Sequence, residues 1–104
     1  MDRDDLIEQV KKAVSEIEPD AEIILYGSRS RGDSTTESDW DLLILIDDTI
    51  NDERIDKIRY RLYQIEWDSG EILSSIIRNR KEWHSFPYTS MPLYHKIENE
   101  GMVL

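Results

Sequence analysis

The run Trp40-Asp41-Leu42-Leu43-Ile44-Leu45-Ile46 is the most apolar stretch of the chain, and a second apolar run, Ile23-Ile24-Leu25-Tyr26, precedes it closely. Both are short, continuous and rich in branched residues, as buried strands are. The polar link formed by residues 29–38 is ten residues long. A parallel crossover needs about a dozen residues or more, so the two strands are expected to be antiparallel neighbours. That pairing sets the end of the first strand, closed by Gly27-Ser28, beside the start of the second, where Asp39 and Asp41 stand.

The other segments supply the covering layers. Leu6, Ile7, Val10, Ala13, Val14 and Ile17 recur at helical intervals, so residues 2–17 are expected to form an amphipathic helix capped by Asp2 and ended at Pro19. The link 29–38 has room for one helical turn plus a loop. A second helix is expected from about Asp52 to Trp67, with Ile55, Ile58, Leu62 and Ile65 on its apolar face and Gly70 as its stop. Glu71 to Ile77 reads as a third strand, and residues 79–90 as a short helix and loop. Ser90 is placed to cap a last helix with Pro92 in its first turn and Gly101 at its end. Met102-Val103-Leu104 either adds a small strand or packs down. The fold class is α+β, a small mixed β-sheet flanked by helices, in a single domain spanning residues 1–104.

Net charge and cysteine usage narrow the partners. The net charge is −10, and long DNA or RNA would need many phosphates neutralised by Lys and Arg, so such polymers are not expected ligands. A nucleotide remains compatible if cations bridge it to carboxylates. The chain has no cysteine, which excludes disulfides and thiolate metal sites. Met1-Asp2-Arg3-Asp4-Asp5 lacks a signal-peptide pattern, and no window is apolar enough to span a membrane. A cytoplasmic protein is expected.

Asp39 and Asp41 are two apart at a strand start, so their side chains share one face while Trp40 takes the other. Such a pair would repel unless a hard cation lay between them, and Mg²⁺ favours one or two carboxylates plus phosphate oxygens. A lone Asp-x-Asp is equally a solvated strand end. Gly27 permits close backbone approach and positive φ, and the Ser28 hydroxyl with the following N–H groups makes a small anion cradle. Between Ala13 and Glu53 the basic residues are Arg29 and Arg31, against eleven acidic ones. Both are candidates for gripping a triphosphate; each could instead pair with Asp33 or Glu37.

Together, Tyr26-Gly27-Ser28, Arg31-Gly32, and Ser38-Asp39-Trp40-Asp41-Leu42 opening an apolar strand resemble the signature of the DNA polymerase β-like nucleotidyltransferase superfamily, in particular its minimal nucleotidyltransferases. The strong likeness covers residues 26–46. It implies a polymerase β-like palm fold and transfer of a nucleoside monophosphate from a triphosphate, ATP in the first instance, to a hydroxyl. It further implies Gly27 and Ser28 on the phosphates, with two Mg²⁺ ions on Asp39 and Asp41. The family usually adds a third carboxylate from a later strand. Here that strand contains no Asp; Glu71 is the nearest substitute as a catalytic residue, and an exposed strand end is its alternative reading. The likeness also implies a separately encoded helical partner of the HEPN type, with this chain as the antitoxin of a toxin–antitoxin pair. A catalytically weak or inactive nucleotide- or partner-binding regulatory subunit is the alternative function. A third possibility is a structural domain with a fortuitous motif.

Other signals carry less. Arg31-Gly32-Asp33 matches the integrin tripeptide by letters alone. The acids of residues 33–41 lack the glycine and terminal glutamate of a calcium loop. A sugar-nucleotide transferase would need a larger, two-lobed architecture. His84 and His95 have no ligand spacing. Tyr60 and Tyr63 read as helix-face residues. Trp67, Trp83 and Phe86 are expected to pack into the layer covering the sheet, with adenine stacking as the other role open to them.

Overall fold

Asp2 opens the chain's first helix by accepting the Asp5 N–H through its side chain at 2.8 Å. In the computed structural model, which describes residues 2–32 and 38–104, the elements follow in the order α1 (Arg3–Ile17), β1 (Glu22–Tyr26), α2 (Ser28–Arg31), β2 (Trp40–Ile46), α3 (Asp52–Ser69), β3 (Leu73–Asn79), α4 (Arg80–Trp83), a 3₁₀ turn (Tyr88–Ser90), α5 (Pro92–Glu100) and β4 (Met102–Val103). The expected turn of helix in the 29–38 link is α2; the loop expected over residues 33–37 lies outside the described residues.

The sheet has four strands in the order β3-β2-β1-β4. β1 and β2 pair antiparallel, as the short link requires, with Tyr26 opposite Asp41 and Leu25 opposite Leu42. β2 and β3 pair parallel across the long α3 crossover, with Trp40 opposite Leu73 and Asp41 opposite Ser74. The closing strand β4 adds to the free side of β1, and the Leu104 N–H donates to the Ile23 carbonyl at 2.9 Å.

Strand alternation sorts the core into two halves. Ile23, Leu25, Trp40, Leu42, Ile44, Ile46, Leu73 and Ile77 face α1 and α3, which bring Leu6, Val10, Val14, Ile58, Leu62 and Ile65. Ile24, Tyr26, Leu43 and Leu45 face Trp83 of α4 and Ile97 of α5. Because β2 is buried on both faces, truncating one of its leucines to alanine would cost about 2–5 kcal/mol. Arg54 joins the end of α1 to the start of α3 through a forked pair to Glu18 at 2.7 and 3.0 Å, and also donates to the Thr49 carbonyl. Among the described residues, no helix is long and apolar enough to cross a membrane.

The structure corrects three expectations. β3 begins at Leu73, not Glu71, because Gly70 closes α3 in the left-handed region and Glu71 is still turning, its N–H bonded to Ser69 Oγ. Ser90 lies in the 3₁₀ turn, its hydroxyl donating to the Pro87 carbonyl, and Met91 takes the cap position of α5. Trp83 is buried as expected, but Trp67 is 90% and Phe86 82% exposed. Trp67 falls outside the stripe formed by Ile58, Leu62 and Ile65 and shares the opposite side of α3 with Tyr60 and Tyr63.

Candidate active site

Gly27 has φ 77° and ψ −157°, a backbone conformation open essentially only to glycine. A Cβ there would overlap Asp41 Oδ2 and stand 3.4 Å from Asp41 Cγ. The missing side chain therefore lets the Asp41 carboxylate lie directly against the turn. The ladder explains the approach: Tyr26 and Asp41 are opposite one another, so the residue after Tyr26 closes over the Asp41 side chain. Ser28 opens α2, and the Ser30 hydroxyl bonds both the Gly27 carbonyl (2.9 Å) and the Glu100 carbonyl at the end of α5 (3.0 Å). The turn is thus fastened to its own start and to the last helix.

The acids at the head of β2 are electrostatically exposed to one another. Asp41 is half-buried, and burial first, then the charge of Asp39, pushes its carboxyl above the usual carboxylate range; Lys96 and Arg31 pull it back in part. Burial and then the Asp41 charge likewise raise the Tyr26 hydroxyl. Two acids converging here with incomplete compensation form the kind of donor set that a hard divalent cation satisfies. Asp39 and Asp41 would hold one such ion, so the residues fit that group.

Two expected site residues are placed on the other side of β2. Arg29 donates to the Ser38 carbonyl through Nη2 (2.9 Å) and Nε (3.3 Å) and lies 4.5 Å from the centre of the Trp40 ring. Its Nη2 is also 3.5 Å from Glu71, whose carboxylate accepts the Trp40 indole N–H at 3.1 Å. Arg29 and Glu71 therefore form a clasp around Trp40, on the face opposite Asp41. The sequence sets Arg29 beside the phosphates and Glu71 beside the metal; in the structure both are engaged around Trp40. Among the described residues, no three His, Cys, Asp or Glu side chains are gathered as a metal-binding group.

Arg31 stays on the Asp41 side, bridged to Glu100 at 2.9 Å. Lys96, which the sequence reading missed, stands there too, with its Nζ 3.8 Å from the same Glu100 carboxylate. Nothing local to Lys96 announces this. Its place follows from Ile97 packing on the Tyr26 face of the sheet, which brings α5 over the site. His84 Nδ1 is 2.9 Å from the Tyr94 hydroxyl. A groove of about 740 Å³ lies between α1 and α3 beside Tyr60, Tyr63 and Trp67, and Asp41 is not part of its lining.

A family model described as a nucleotidyltransferase domain matches residues 7–98. No curated protein matches the chain.

Proposed function

Because the chain belongs to the nucleotidyltransferase domain family, we propose that it transfers a nucleoside monophosphate, AMP from ATP, to a hydroxyl acceptor with the help of Mg²⁺. The observation that carries this reading is the Asp41 carboxylate resting against the Gly27-Ser28 turn, which sets an acid and an anion cradle at one place. In this reading the Ser28 hydroxyl and the turn's backbone receive the triphosphate oxygens, and Asp39 and Asp41 hold the cation. Arg31 and Lys96 supply positive charge beside them, offsetting a chain that is strongly acidic overall. A bound Mg²⁺ would neutralise charge on the phosphates and favour displacement of pyrophosphate.

The acceptor side is open. Ser74, opposite Asp41, is exposed, and so is Ile72 at the start of the same edge. A hydroxyl carried by another molecule can approach from that direction. This supports, within the same proposal, a macromolecular acceptor such as a separately encoded helical HEPN-type partner, with the chain as its antitoxin in the cytoplasm.

The test is to incubate the protein with Mg²⁺ and α-labelled ATP, with and without such a partner. Pyrophosphate release and label on the acceptor, both lost in Asp41→Asn, are the expected result. A second reading, a regulatory subunit that binds nucleotide without turnover, is favoured by the serine at the β3 position beside Asp41. It would be established by nucleotide binding with no release under any pairing.

A further inference from the structure

A strand at the margin of a sheet presents a row of unpaired backbone groups, and β3, with seven residues against two for β4, is the longer margin here. The Trp40 N–H donates to the Ile72 carbonyl, and the register sets Trp40 opposite Leu73. In a parallel ladder alternate residues turn their backbone to the neighbouring strand. Ile72, Ser74, Ile76 and Arg78 therefore face β2, and Leu73, Ser75 and Ile77 turn their backbone groups outward. Two of the outward groups are occupied: the Leu73 N–H donates to Glu66 Oε2 and the Ile77 carbonyl accepts Arg78 Nη1, each at 3.0 Å. The Leu73 carbonyl, both groups of Ser75 and the Ile77 N–H have no partner among the described residues. The strand also lacks the usual guards of an open edge. It has no proline or lysine, and its one charge, Arg78, stands next to its end.

That pattern is complementary to itself. With a second β3 laid antiparallel beside the first and Ser75 opposite Ser75, the two serines exchange both of their backbone bonds. The Ile77 N–H of each copy then meets the Leu73 carbonyl of the other. The pair left over in this register is the Leu73 N–H with the Ile77 carbonyl, the two groups already capped. Their caps, Glu66 and Arg78, carry opposite charges and meet across the boundary between the copies. Side chains agree with the same register. Ser74 falls opposite Ile76, and Ile72, 56% exposed, falls opposite the stem of Arg78, with no like charges facing. We propose that a second copy of this chain pairs along β3, two-fold and antiparallel about Ser75, so that the four-stranded sheet continues through both molecules. On the reading of the site given above, the same edge is the acceptor's approach, so acceptor and second copy compete for it.

Sedimentation equilibrium of the protein without nucleotide, over a concentration series reaching about 1 mM, reads the association. Salt of about 0.15 M screens the repulsion between two chains of charge −10. The wild type is expected to pass from monomer to dimer, and the Ser75 and Ile77 amides to become slow in hydrogen exchange as it does. Ser75→Pro removes an outward N–H that no ladder bond uses, so it should stay folded and monomeric. Ser75→Lys and Ser75→Glu each set like charges opposite one another and should be monomeric, whereas their equimolar mixture should dimerise. Trp67→Glu, on the outer side of α3, should associate as the wild type does. A wild type that stays monomeric throughout would overturn the proposal. So would a dimer that survives Ser75→Pro, whether or not Trp67→Glu abolishes it, and so would folded charge variants whose mixture stays monomeric. Should Ser75→Pro fail to fold, the paired charge variants carry the same test. None of these readings involves nucleotide, so they are decided whether or not the site transfers one.

Discussion

The Asp41 carboxylate lies so close to Gly27 that no side chain fits between them. This contact joins the two halves of the site across a gap of thirteen residues in sequence, through the pairing of Tyr26 with Asp41. Replacement of Gly27 by alanine would meet two penalties at once. The backbone angles suit only glycine, a cost of about 1–3 kcal/mol, and the new methyl would push on the acid. Gly27→Ala is therefore expected to lower stability in urea unfolding by at least that strain. It should also lower metal-dependent nucleotide binding by more than the stability loss alone implies. An alanine variant with both properties intact would show that the turn does not press on Asp41.

Asp41 gives the apo protein a pH signature. Its carboxyl is raised by burial and then by Asp39. A group whose folded value lies above its unfolded one contributes stability that is fully present below the unfolded value and lost as pH rises through the folded value. In EDTA, Asp41→Asn should thus equal or exceed the wild type at neutral pH, by a fraction of a kcal/mol to about 1 kcal/mol. The advantage should fade as pH falls through the carboxylate range. Urea unfolding at neutral and acidic pH measures it, and an asparagine variant clearly weaker at neutral pH would mean that the carboxylate accepts bonds the fold needs.

The clasp around Trp40 separates a structural acid from a ligand. Glu71→Gln keeps an acceptor for the Trp40 indole and loses the Arg29 partner 3.5 Å away, so a stability loss of about 1 kcal/mol or less is expected. Arg29→Ala removes the bonds to the Ser38 carbonyl and the contact with the Trp40 ring, and should cost more, roughly 1–3 kcal/mol. Glu71→Gln should differ from the wild type in Mn²⁺ affinity by no more than about twofold, whereas Asp39→Asn should lose about tenfold or more. A Glu71→Gln variant that loses metal as Asp39→Asn does would return Glu71 to the ligand set.

These placements show what the sequence could and could not reveal. The antiparallel pairing of β1 with β2 was legible because a ten-residue link leaves little room for another arrangement, and Gly27, Asp39 and Asp41 came with it. β3 started two residues late because local bonds of Ser69, Gly70 and Glu66 hold the chain in a turn, and periodicity does not register such bonds. That shift is what removes Glu71 from the strand and makes Ser74 the neighbour of Asp41. The roles of Arg29 and Arg31 diverge for a reason no local pattern carries: two arginines two residues apart on one short helix reach opposite faces of β2. Trp67 is exposed because its spacing from Leu62 and Ile65 places it on the outer side of α3, and aromatic character alone does not decide burial.

Lys96 provides the last test, since it enters the site from an element far along the chain. Glu100 is bridged to both Arg31 (2.9 Å) and Lys96 (3.8 Å), the two cations whose charge reaches Asp41. One of its oxygens, Oε1, is buried without a hydrogen-bond partner. A triphosphate arriving at the Gly27-Ser28 turn would compete with that carboxylate for the same positive charge. Glu100→Gln removes the competitor, and binding of the Mg²⁺–ATP analogue should tighten by a few-fold, most visibly at low salt, where charge is least screened. Lys96→Ala removes a cation and should weaken binding by about 2–10-fold, equivalent to roughly 0.5–1.4 kcal/mol. Calorimetric titration of both variants reads the two shifts directly. Affinities unchanged in both would place the triphosphate away from α5, and opposite shifts in the expected directions would establish that Glu100 holds the two cations ready for an incoming nucleotide.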